Sequence, residues 1–148
     1  MMVGRVDNIS KETHRDAQTG TVLFVPVPVG ELIDKITILE IKAERIPDPV
    51  KLQNIHSELR MLAGVRDEHV ARGEEIGRLT RELKKVNETL WEIEDDIRDC
   101  ERGRDFGPRF IELARAVYQT NDLRSQLKRK INEAAGSHLV EEKSYAPY

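Results

Sequence analysis

Residues 74–102, EEIGRLTRELKKVNETLWEIEDDIRDCER, decide the fold. Within them Ile76, Leu79, Leu83, Val86, Leu90, Ile93, Ile97 and Cys100 recur at alternating steps of three and four. On a helix of 3.6 residues per turn that spacing draws one continuous apolar seam, as in a coiled coil. At 1.5 Å per residue the helix spans about 43 Å, and a seam of that length must be buried against other helices. An all-α chain is therefore expected.

Working outward, Gly103–Gly107 (GRDFG) breaks the seam, and Gly107-Pro108 opens another helix with proline at the position where its missing N–H costs nothing. Phe110, Leu113, Ala114 and Val117 should face inward, with Leu123, Leu127 and Ile131 continuing the stripe after a phase slip near Asn121, up to a stop at Gly136. Upstream, Ile46-Pro47-Asp48-Pro49 pairs a helix stop with an Asp N-cap. The helix starting at Pro49 carries Leu52, Ile55, Leu59 and Leu62. Before it, Leu32, Ile36, Leu39, Ala43 and Ile46 form a stripe that Ile33, Ile38 and Ile41 widen, which predicts burial on more than one side.

The spacing thus predicts helices over about 31–46, 49–71, 74–102 and 108–135 in a single domain of residues 21–148. Short connections favour an up-and-down antiparallel bundle in which the second and third helices form a long coiled-coil-like hairpin. Thr21–Val29 (TVLFVPVPV) should be extended, since Pro26 and Pro28 lack amide donors and suit an edge strand or polyproline-like segment. The tail after Gly136 should also be extended. Residues 1–20, polar and aperiodic, read as a flexible arm.

Composition narrows the function classes. Net charge is −3 with acids and bases interspersed, so nucleic acid is not an expected partner. No apolar run is long enough for a signal peptide or a membrane span, and the single cysteine sits on the seam, so a reducing cytoplasm is expected. Only three Phe, three Tyr and one Trp serve the core, a thin supply that favours a homodimer burying leftover seam surface.

No nucleotide-binding loop, nucleophile elbow or metal-ligating histidine pair appears, and neither metal nor cofactor is expected. Polar side chains at helical spacing nevertheless share faces. Asn87, Trp91, Glu94 and Arg98 lie one above another on the third helix; Tyr118, Asn121, Arg124 and Lys128 do so on the fourth; Lys35 and Lys42 lie on the first. Facing one another, they would line a polar pocket for an anionic small molecule such as a nucleotide or dicarboxylate. On separate faces they would be solvated and ion-paired, for instance Asp95 with Arg98. The carboxylates Glu92, Glu94, Asp95, Asp96 and Asp99 could hold Mg²⁺ for phosphate cleavage, and ELIDKITILEIKAERI faintly echoes the first helix of chorismate-type mutases.

VPVPVGELIDKITILEIKAERI, LWEIEDDIR, FIELARAVYQTNDLR and GSHLVEEKSY together resemble a family of small bacterial proteins known as a domain of unknown function, over roughly residues 22–148. The resemblance implies a mainly proteobacterial family, found at times beside sugar-transfer or cell-surface polysaccharide genes. It implies no catalytic residues. The reading that results is a helical interaction or accessory module with a possible protein partner, and the alternative is a small all-α enzyme or ligand-binding protein.

Overall fold

The computed structural model describes residues 20–148, so the expected arm over 1–20 lies, but for Gly20, outside the described residues. Four helices make up its regular structure: α1 (Val29–Arg45), α2 (Pro49–His69), α3 (Glu74–Arg102) and α4 (Pro108–Ala135). The local grammar operates as its chemistry requires. Asp48 Oδ1 accepts from the amides of Val50 and Lys51 at 2.9 and 3.2 Å, capping α2 with Pro49 in its first turn. Gly136 closes α4 in the left-handed region (φ 63°), letting the Ser137 amide donate to the Asn132 carbonyl at 2.8 Å.

The α3 seam is buried or half-buried along its whole length, with Leu79, Leu83, Ile93 and Cys100 fully inside. It packs mainly on α4. The two run antiparallel, since Asp96 near the end of α3 pairs with Arg109 at the start of α4 at 3.8 Å, while Leu79 and Leu83 share a core with Leu127 and Ile131 at the other end. α1 contacts all three other helices, and Ile33 completes that core. Burial of a Leu or Ile contributes roughly 1.5–3 kcal/mol, so these five side chains anchor the α1–α3–α4 unit.

The α2–α3 hairpin is not what forms. Among the described residues α2 packs on α1 alone, and Ile55 is its one fully buried side chain. Leu52, Leu59 and Leu62 are half-buried, while Val50, Met61 and Val65 are exposed. The physical reason is competition: the longer seam of α4, backed by polar partners for α1, claims the face of α3.

A second departure lies in α4. Leu123 is exposed and Arg124 takes the inward position next to Leu127. Residues 20–28 are non-helical and exposed up to Val27, and Pro28 has polyproline-like angles (φ −61°, ψ 151°). Residues 138–148 are non-helical and fold back along α4, with Glu141 on Lys128 at 2.7 Å, Glu142 on Arg129 at 3.0 Å and Tyr148 Oη donating to Asp122 at 2.8 Å.

Candidate functional site

The first turns of α1 are held by side chains from the far end of the chain. Pro28 offers no side-chain cap, so the exposed amides of the helix start need other acceptors. Asn132 Oδ1 accepts from the Gly30 amide at 2.6 Å, and Ser137 Oγ from the Val29 amide at 3.2 Å. The approach is close: a Cβ at position 30 would stand 2.4 Å from the Lys128 carbonyl oxygen, so glycine is required there.

Directly beside these amides, the α1 surface facing α4 is charged. Lys128, almost wholly buried, lies 2.8 Å from Glu31 and 2.7 Å from Glu141, so α4, α1 and the tail meet at one ammonium. Burial pulls its pKa down, but the hydrogen bonds it donates to Glu141 and Glu31 outweigh that and leave it above the ordinary lysine value. Glu141 is correspondingly held below the ordinary carboxylate value by its bond to Lys128.

At the centre lies Asp34, 1% exposed. Arg124 grips it through two nitrogens at 3.0 and 2.5 Å, and Asn87 Nδ2 donates to it at 2.9 Å and to Thr37 Oγ1 at 3.0 Å. Hydrogen bonding to Asp34 raises the Arg124 pKa further. A buried carboxylate requires such a set of donors. Among the described residues no buried side-chain polar atom lacks a partner, so the network is closed and holds three helices in register.

The network forms the floor of an open cleft of about 570 Å³ between α1, α3 and α4. Of the side chains picked out in the sequence, the cleft brings together Lys42, Asn87, Trp91, Glu94, Arg98, Asn121 and Arg124, joined by Asp95 and by Ile38, Ile41 and Leu90. Three lie elsewhere. Lys35 is exposed on α1, 3.9 Å from Glu58 of α2; Tyr118 packs edge-on against Tyr148 of the tail, with ring centres 4.9 Å apart; Lys128 is enclosed by its two glutamates. Arg98 pairs with Glu94, one turn away, and not with Asp95.

Sequence reasoning missed Glu31, Asp34, Thr37, Ser137 and Glu141. The available signal was the acidic and hydroxyl residues set inside the apolar α1 segment ELIDKIT, since a polar group amid so many Ile and Leu needs partners from elsewhere.

The acidic run of α3 is dispersed among arginines: Glu92 with Arg45 at 3.4 Å, Glu94 with Arg98, Asp96 with Arg109 and Asp99 with Arg102. Among the described residues no group of three or more His, Cys, Asp or Glu is arranged to hold a metal. Likewise no described helix is long and apolar enough to cross a membrane.

The sequence model of DUF6165, described as a family of unknown function, matches residues 23–148. The chain belongs to this family. The DUF6165 match spans Val29, Gly30, Asp34, Asn87, Arg124, Lys128, Asn132 and Glu141, so the whole network lies within the family segment. No curated protein and no solved structure matches the chain.

Proposed function

We propose that this DUF6165 protein is an interaction module that works as a homodimer, joined through the apolar segment ahead of α1. One observation carries the reading: Leu23, Phe24 and Val25 are 81%, 71% and 70% exposed in an unpaired, non-helical stretch. Fully covering such side chains contributes roughly 1.5–3 kcal/mol each. Association itself costs on the order of 4–15 kcal/mol. A two-fold contact counts every side chain twice, which brings the gain from one short segment into the range of that cost.

Pro26 and Pro28 limit backbone pairing at the end of the segment nearest α1, which leaves Val22–Val25 as the stretch able to pair with a second copy. The up-and-down reading of the four helices suits this role, because the closed polar network keeps α1 rigid directly behind the contact. A bacterial setting close to sugar transfer or cell-surface polysaccharide synthesis is proposed with it on the resemblance alone, and a reducing cytoplasm on the lone seam cysteine.

Light scattering coupled to size exclusion tests the reading. The expected result is twice the chain mass for the wild-type protein and the single-chain mass for Leu23→Asp/Phe24→Asp with an unchanged helical spectrum. A wild-type chain that is monomeric at about 100 μM sinks it, since a contact weaker than that corresponds to less than roughly 5.5 kcal/mol.

A further inference from the structure

The cleft above the Asp34 network contains a cation that no described residue pairs. Three cations line it. Arg124 is committed to Asp34 and Arg98 to Glu94, whereas half-buried Lys42 forms no ion pair among the described residues. Asp95, the remaining carboxylate of the lining, is exposed at the rim. The apolar part of the lining is Ile38, Ile41, Leu90 and the indole of Trp91. The volume of about 570 Å³ lies within the roughly 300–1,000 Å³ typical of small-molecule sites.

We propose that this cleft binds a small aromatic anion, a ring bearing one carboxylate or phosphate. Its charge pairs with the Lys42 ammonium, its ring lies along Trp91 and the isoleucines, and the side-chain amide of Asn121 supplies a hydrogen bond. Anchoring favours binding, because Arg124 and Asn87 are already held by Asp34 and lose little freedom when the cleft fills. The inference is independent of the dimer, whose contact lies ahead of the opposite end of α1.

Trp91 is the one tryptophan of the chain, so its fluorescence reports on the cleft directly. The experiment titrates the full chain with phenyl phosphate, benzoate and inorganic phosphate at constant ionic strength, exciting indole alone. Phenyl phosphate or benzoate, or both, should change the emission saturably, and the tighter of the two identifies the anionic group. Inorganic phosphate, which lacks the ring, should bind at least about tenfold more weakly than the tighter aryl probe.

Lys42→Met keeps the aliphatic stem, and with an unchanged circular dichroism spectrum it should weaken that aryl probe about tenfold or more. Arg78→Ala, at an exposed α3 cation paired with Glu82 and outside the cleft, should change affinity less than about threefold. The absence of a saturable response to either aryl probe up to about 10 mM overturns the proposal. Equal affinities in wild type and Lys42→Met overturn it as well, because the response would then not arise at this lysine.

Discussion

Replacing Asp34 by alanine removes the acceptor on which three helices converge. The substitution deletes two charge-assisted bonds from Arg124, at 3.0 and 2.5 Å, and one from Asn87 at 2.9 Å. Removing one partner of a buried ion pair costs roughly 3–5 kcal/mol when the other stays unpaired. Here the Arg124 side chain retains 28% exposure at the cleft floor and can turn toward water, while Asn87 keeps Thr37 Oγ1. The expected loss is therefore about 2–4 kcal/mol. With a urea slope of roughly 2 kcal/mol per molar, the unfolding midpoint at pH 7 should fall by about 1–2 M at fixed protein concentration.

A double-mutant cycle with Arg124→Ala isolates the pair, and the single losses should exceed additivity by more than about 1 kcal/mol. Asp34→Leu/Arg124→Met, which removes both charges and fills the space, should recover most of the stability. Sodium chloride at about 0.5 M should barely alter these differences, because a pair with one partner this deeply buried is poorly screened. If Asp34→Ala costs less than about 1 kcal/mol, or if the two alanine losses simply add, the network does not hold the helices together as argued.

Two glycines give opposite expectations. Gly30→Ala drives a methyl group into the Lys128 carbonyl, 2.4 Å away, and should cost about 1–3 kcal/mol; Gly64→Ala, inside α2 with nothing within 4 Å, should gain roughly 0.5–1 kcal/mol. Calorimetry would resolve both as shifts in Tm of roughly 2–4 °C per kcal/mol. Asn132→Ala leaves the Gly30 amide without its acceptor and should cost about 1–2 kcal/mol in the same assay.

The tail contact should depend on pH through Glu141. Its folded pKa is depressed, so its contribution is complete above the ordinary value of 4.5 and disappears as pH falls through the folded value below it. Lys128 is raised, so its contribution is complete below 10.5 and is lost as pH rises through a higher value. Backbone motion in residues 138–148, read from NMR relaxation, should increase below about pH 4.5, and Glu141→Gln should show the increased motion already at pH 7. Equal tail motion in the variant and wild type at pH 7 would show that other contacts hold the tail.

Much of the architecture was legible because it depends on local spacing. The breaks at Pro47 and Gly107-Pro108, the Asp48 cap and the alternating seam from Ile76 to Cys100 each act within one or two turns of chain. The pairing of helices was less legible. The apolar stripes of α2 and α4 both fit the seam of α3, and the choice between them rested on partners 90 residues apart, such as Asp34 with Arg124. The same half-buried arginine explains the misplaced Leu123. Counted as a polar residue Arg124 interrupts the stripe, although its guanidinium is the group that faces the core. The grouping of Asn87, Trp91, Glu94 and Arg98 followed from helical periodicity, whereas Lys128 was drawn away from Asn121 and Arg124 by Glu31 and Glu141.

By itself the sequence determined where helices begin and end and which of their faces are apolar, because caps, prolines and a 3.6-residue period act through neighbours in the chain. Tertiary structure alone decided that α1 is the central helix, that its first amides are capped from Asn132 and Ser137, and that Asp34 is matched by Arg124. A buried polar group is stable only when donors and acceptors from distant segments arrive together, and no local pattern records which segment will supply them.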